Sequence, residues 1–182
     1  MDKKLFITRY IKEFCEIVNK SDNEKKKIVK IYDLLDKIKS NNSVHVFGNG
    51  GSSSIASHFS MDLTNNSNVK SFCYNDTSTI TCYSNDFGYE NWISRVIKKF
   101  GKKGDILVLI SSSGKSRNMI NGLKEAKKKK FKKIISFTGF DKTNYLNKNS
   151  DLGIWINSKK YNLVENTHQF LLLLIVDMFK NS

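Results

Sequence analysis

From residue 43 onward, short β-branched runs alternate with stretches of helical periodicity, and few folds accommodate that rhythm. The strand candidates are Val44–Phe47, Val69–Tyr74, Ile106–Ile110, Lys133–Phe137 and Leu152–Ile156. Helical patterns over roughly Ser53–Asn65, Tyr89–Phe100, Arg117–Lys129 and Leu163–Phe179 separate or follow them. Alternation of this kind predicts an α/β fold, a three-layer αβα sandwich around a five-stranded parallel sheet covered on both faces. Residues 1–40 read differently. Phe6, Tyr10, Phe14 and Val18 recur at every fourth position, and Ile28, Ile31, Leu34, Leu35 and Ile38 form a second stripe. Two antiparallel helices follow from this, broken near Ser21-Asp22-Asn23, with Ser21 or Asp22 as the second helix's cap. Such a pair ahead of a sheet packs against the domain or a partner subunit. Between the second and third strands, Asn75 to Gly88 reads as a polar, irregular connection with a short helix near Thr77 to Cys82. The expected organisation is one domain over 1–182, with a helical pair at 1–40 and an αβα core at 41–182.

Charge and cysteine content narrow the partners. The net charge of +14 is carried almost wholly by lysine, with only Arg9, Arg95 and Arg117 as arginines. The densest runs, Lys25-Lys26-Lys27 and Lys127 to Lys130, fall on predicted helices as solvated faces, without the interleaved aromatics of a nucleic-acid surface. Nucleic acid is therefore not the expected partner. The apolar run Phe170 to Val176 is too short to span a bilayer, and no secretory signal opens the chain, so no membrane is expected. Cys15, Cys73 and Cys82 are odd in number and lack metal-type spacing, which predicts free thiols in a reducing, cytoplasmic compartment.

Open parallel sheets bind ligands beyond the carboxyl ends of their strands, where helix N-termini begin. Two loops fall there. Gly48-Asn49-Gly50-Gly51-Ser52-Ser53-Ser54 leads from the first strand into the helix carrying His58. Ser111-Ser112-Ser113-Gly114-Lys115-Ser116 leads from the apolar strand Ile106–Ile110 into the next helix, with four hydroxyls and exposed amides suited to a phosphate dianion. Either loop alone is more often an ordinary Gly/Ser turn, and the two together strengthen each other. Neither is a nucleotide motif: the GxxxxGK[ST] string is missing, and Ser53 stands where GxGxxG needs its third glycine, so no nucleotide cofactor is expected. His58 and Asp62, four apart, share a helix face as a metal pair, a base with its orienting partner, or a plain surface contact. Glu165 and Gln169 share a face near the start of the last helix, with His168 beside them. Asn162 as an N-cap with Glu165 three residues on is the bland alternative, a variant capping box.

These segments in order, GNGGSSSIASHFSMDL, SNDFGYEN, ISSSGKSRNMINGLKEAK, FTGF and VENTHQ, resemble the sugar isomerase (SIS) domain of bacterial phosphoheptose isomerases over nearly the whole chain. That family interconverts sedoheptulose 7-phosphate and a heptose 7-phosphate by moving a proton between C1 and C2, in cell-surface sugar biosynthesis including lipopolysaccharide. The resemblance implies that Asn49, Gly50, Gly51 and Ser52, with Asn85 and Asp86, contact the sugar. It implies that Ser111, Ser112, Ser113 and Ser116 hold the phosphate, and Gln169 is counted among the substrate-binding residues. His58 matches a metal-ligand histidine, usually for zinc, and Asp62 stands where the family has a glutamate that ligates metal and acts as base. Glu165 stands where the family has a glutamine ligand, and Leu173 where it has a histidine ligand and proton donor. The expectation is a rewired site in which Asp62 and Glu165 share the acid–base roles and His58, Asp62 and Glu165 form the metal set. A homotetramer with sites between subunits is also implied. The alternative is a non-catalytic sugar-phosphate-binding or regulatory protein, including the type that partners the bacterial replication initiator.

Overall fold

The computed structural model describes residues 1–19 and 22–181. Its centre is a five-stranded, all-parallel sheet in the order β2-β1-β3-β4-β5. The strands are β1 (Val44–Gly48), β2 (Ser71–Cys73), β3 (Ile106–Ser111), β4 (Lys133–Thr138) and β5 (Leu152–Trp155). Helices α1 (Lys3–Val18) and α2 (Asp22–Asp36) precede the sheet, and α3 (Gly51–Asn66) links β1 to β2. Then come α4 (Thr77–Phe87), α5 (Trp92–Phe100), α6 (Arg117–Lys128), α7 (Tyr145–Asn149) and α8 (Tyr161–Lys180).

The two faces of β3 show why the sheet is buried twice. Side chains alternate across a strand. Ile106, Val108 and Ile110 pack with α2, α3 and α8 in one apolar cluster, while Leu107 and Leu109 join Trp92, Ile93, Met119 and Leu123 of α5 and α6 in the other. All six residues of β3 are buried. The structure departs from the sequence expectations in three places. The short helix expected near Thr77 to Cys82 starts at Thr77, where Asp76 caps it by accepting from the Thr79 amide at 2.8 Å, but it runs on to Phe87. The edge strand β2 is shorter than expected, and α7 was not anticipated. The expected break and cap at Ser21 and Asp22 lie outside the described residues and side chains.

Helix α1 contributes no buried residue, and Leu5, Phe6, Ile7 and Ile11 are exposed. All three cysteines are free. Among the described residues no helix is long and apolar enough to cross a membrane.

The amino ends of β1 and β3 are tied by a buried polar cluster, at the end of the sheet away from the two polar loops. Asp105, 1% exposed, accepts from Asn42 Nδ2 (2.9 Å), the Ser43 amide (3.0 Å), the Lys102 amide (2.9 Å) and His45 Nε2 (2.9 Å). The Tyr74 hydroxyl lies 3.1 Å from His45 Nδ1. Burial alone would raise the Asp105 carboxyl, but the bonds from His45, Asn42 and the two amides outweigh it and bring it to about 2. Burial and the nearby Asp105 charge push Tyr74 up to about 12, so it stays a neutral donor.

A carboxylate depressed by folding stabilises the native state above its unfolded value, and that stability drains away as pH falls through the folded value. Asp105→Asn puts an amide hydrogen against donors, and should cost about 2–3 kcal/mol at neutral pH by chemical denaturation. The gap to the parent should narrow between the ordinary value of 3.8 and about 2. An unchanged midpoint at neutral pH would contradict this account.

Candidate active site

The strand order reverses between β1 and β3, and ligands of open parallel sheets sit at such reversals. The loop after each of these strands opens a helix there, and neither helix is capped by its own N-cap side chain. The N-cap of α3 is Gly50, and the N-cap of α6 is Ser116, whose hydroxyl makes no capping bond. Helix N-termini left in this state favour negative charge through their unsatisfied amides and dipole. The serine loop is braced from outside. The Gly139 amide donates to Ser112 O at 2.9 Å and the Leu146 amide to Gly114 O at 3.3 Å. Gly114 is in the left-handed region at φ +63°, and a methyl group there would overlap the buried Asn144 side chain.

Between the loops lies a small cavity of about 110 Å³. Ser111, Ser112, Ser113 and Ser116 line it from the second loop, Asn49 and Ser52 from the first, and Tyr161 and Glu165 from α8. Pockets for drug-sized ligands occupy roughly 300–1,000 Å³, so this one suits a single small group. The Ser112 hydroxyl is buried and has no hydrogen-bond partner of ordinary geometry among the described residues. It acts on the Glu165 carboxyl at the rim without a bond of ordinary geometry, so it is only loosely committed before a ligand arrives.

Glu165 borders the same cavity. The capping-box alternative fails, because α8 begins at Tyr161, one residue before the expected cap Asn162, and its N-cap Lys160 makes no side-chain capping bond. The Glu165 carboxylate instead lies over the Cα of Gly51, in space that any larger residue at 51 would need. Burial pushes its carboxyl above the ordinary value, and the Ser112 hydroxyl pulls the other way without prevailing.

Helices α3 and α8 run side by side, so their residues pair in successive steps. Glu165 meets Gly51, and one turn on Gln169 Nε2 comes within 3.5 Å of His58 Nδ1. His58 Nε2 is 3.2 Å from Asp62 Oδ2, a half-exposed pair at 49% and 34%. The next turn of α8 brings half-buried Leu173, which has no donor. Zinc sites need three or four donors around one point. Among the described residues no three His, Cys, Asp or Glu side chains gather in that way. The expected set of His58, Asp62 and Glu165 therefore does not assemble within the chain. His58 lies seven residues beyond Gly51, about 10 Å along α3 at 1.5 Å per residue, while Glu165 stays at the helix start.

Three placements complete the picture. His168 is buried, with Nε2 3.2 Å from Thr138 O and its ring edge-on to Phe137, so it belongs to the core. Asn85 and Asp86 stand exposed on α4, joined to each other at 3.1 Å and outside the serine cavity. Tyr89, after α4, reaches the first loop in their place, its hydroxyl donating to Asn49 Oδ1 at 3.1 Å. Sequence reasoning missed Tyr89, Tyr161 and Asn118. Only Asn118, directly behind the serine run on the first turn of α6, carried a signal that could have marked it.

The SIS domain family matches residues 9–139, and the chain belongs to that family. Within it the kinship runs to the phosphoheptose isomerases. The phosphoheptose isomerase of Histophilus somni is 39% identical over 138 residues, covering 71% of this chain and 70% of the relative. The structure of a phosphoheptose isomerase from Francisella tularensis superimposes with a TM-score of 0.89 at 23% identity, covering 100% of both chains. That of the Neisseria gonorrhoeae phosphoheptose isomerase gives 0.82 at 25% identity, covering 97% of this chain and 100% of the other.

Because folding disfavours the charged form of Glu165, ionising it costs stability, and the cost appears as pH rises through its folded value. Glu165→Gln should melt above the parent at about pH 8 with chelator present, and the difference should close toward about pH 4. A lower melting temperature at the alkaline end would refute this placement.

Proposed function

We propose that the chain is a phosphosugar aldose–ketose isomerase, converting sedoheptulose 7-phosphate to D-glycero-D-manno-heptose 7-phosphate in cytoplasmic, cell-surface heptose biosynthesis. The observation that carries the reading is a carboxylate, Glu165, held at the mouth of a hydroxyl-lined anion cavity. The phosphosugar relatives supply the substrate class. Four serine hydroxyls and two uncapped helix N-termini would hold the phosphate and leave the carbonyl end of the sugar toward α3 and α8. Gly50, Gly51 and Asn49 would meet the sugar, with Gln169 beyond them and Asn85 and Asp86 reaching in from α4 or from a neighbouring copy.

Enolisation needs a base for the carbon proton and a donor for the carbonyl oxygen. Within one chain Asp62 lies eleven residues beyond Gly51, about 16 Å along α3 at 1.5 Å per residue, so the Asp62 of a neighbouring copy would take a proton from C1 of the ketose. Glu165, whose carboxyl burial raises, would serve as the proton donor to the C2 oxygen. Protonated Asp62 then returns its proton to C2 of the enediol while the C1 hydroxyl gives its proton to Glu165, which leaves the C1 aldehyde and restores both carboxyl groups. A divalent cation such as zinc, if carried, would polarise the carbonyl oxygen, but one chain does not supply its ligands and no step above depends on it. A second copy would have to bring the remaining donors. The uncovered apolar residues of α1 support a homo-oligomer, a tetramer by family resemblance.

The incomplete donor set, with Leu173 in line with Glu165 and Gln169, favours a second reading in which the chain binds phosphosugars without turning them over. NMR of sedoheptulose 7-phosphate in deuterated water, with and without zinc, separates the two. Aldose phosphate signals or deuterium at C1 establish the isomerase, whereas binding without product or exchange establishes the second reading. Asp62→Ala and Glu165→Ala should each lower turnover at least about 100-fold, the usual scale of general acid–base catalysis, and full activity in both would refute the assigned roles. Ser116→Ala should weaken phosphosugar binding about tenfold by calorimetry, the loss of one charge-assisted hydrogen bond. Unchanged affinity would place the phosphate elsewhere.

A further inference from the structure

We propose that Asn118 is a positioning residue that fixes the side-chain amide of Asn49 as a hydrogen-bond donor toward an oxygen of the bound ligand. The inference rests on the phosphosugar reading for the identity of that ligand, and on geometry alone for the lock itself.

A backbone N–H can only donate. The Met119 amide lies 2.9 Å from Asn118 Oδ1, so the atom of Asn118 facing it must be the oxygen. The same oxygen accepts from Asn49 Nδ2 at 3.0 Å, and Asn118 Nδ2 returns a bond to Asn49 Oδ1 at 2.9 Å. The orientation of one amide thus dictates that of the other. Tyr89 closes the arrangement by donating to Asn49 Oδ1 at 3.1 Å.

A side-chain amide has two lone pairs and two N–H groups. Both lone pairs of Asn49 are taken, by Asn118 and Tyr89, and one of its N–H groups is spent on Asn118. The other N–H has no partner among the described residues, and Asn49 borders the serine cavity. Asn49 is therefore committed as a donor before any ligand arrives. It suits an acceptor oxygen of phosphate, hydroxyl or carbonyl type and disfavours a group that can only donate. Asn118 is 2% exposed and does not line the cavity, so it acts through Asn49. Without it the Asn49 amide can turn, and in half of its orientations the carbonyl oxygen would face the anion.

A double-mutant cycle tests the coupling, with calorimetric affinity for sedoheptulose 7-phosphate measured for the parent, Asn49→Ala, Asn118→Ala and the double variant. Asn118→Ala should weaken binding about tenfold, the worth of one hydrogen bond to a charged group. In the Asn49→Ala background the same change should have almost no further effect. A merely structural role would lower affinity equally in both backgrounds, and that additive result would overturn the proposal. Tyr89→Phe, at an exposed position, should weaken binding less. The lock is read without ligand by NMR: Asn118→Ala should shift the Asn49 side-chain amide signals and speed their exchange with water. Unchanged Asn49 signals would overturn the proposal, whereas a parent protein that shows the lock and binds no phosphosugar would refute the functional reading and leave the lock standing.

Discussion

Five residues of β1 pair in register with β3, from Val44 opposite Ile106 to Gly48 opposite Ile110, and this pairing sets the two polar loops side by side. The chain leaves β1 toward β2 on one side and leaves β3 toward β4 on the other, so nothing of the sheet lies between the loops. Their helices, α3 and α6, start from adjacent points, and their partial positive ends converge. At the amino ends of the same two strands, Asp105 before β3 gathers Asn42, Ser43 and His45 from β1 and its approach. One strand pair is thus anchored by a buried carboxylate at one end and opens an anion cavity at the other.

The balance of charge at that cavity is unusual for a phosphate site. Serine hydroxyls and helix N-termini favour an anion, yet the Glu165 carboxylate sits at the rim and overlies Gly51. Burial raises its carboxyl, the response expected when a carboxylate loses water without gaining a cation. Further along α3, His58 and Asp62 pair with each other at the surface, where an ion pair adds little stability. The polar groups along the α3–α8 seam do not stabilise the fold strongly, and this leaves them available for chemistry.

Much of this was legible in the sequence. The β-branched runs at Val44, Ile106 and Lys133 are buried on both faces in a parallel sheet, and such runs have few other uses. The serine run and the glycine loop were recognisable because strand-to-helix junctions of this composition serve anions. Other features depend on distances that no spacing reports. Asn49 and Asn118 are 69 residues apart and form one reciprocal pair. Glu165 and His58 looked like members of one set, but the pairing of α3 with α8 puts about two turns of α3 between them. The start of α4 at Thr77 was legible, with Asp76 as its cap, but its run on to Phe87 through polar residues was not.

The most direct test of the account is a crystal structure of the protein with sedoheptulose 7-phosphate bound. The account predicts the phosphate among the hydroxyls of Ser111, Ser112, Ser113 and Ser116, with a ligand oxygen on Asn49 Nδ2 and the carbonyl end toward Glu165. A phosphate bound anywhere else, or a sugar held with the serine cavity left empty, would contradict it.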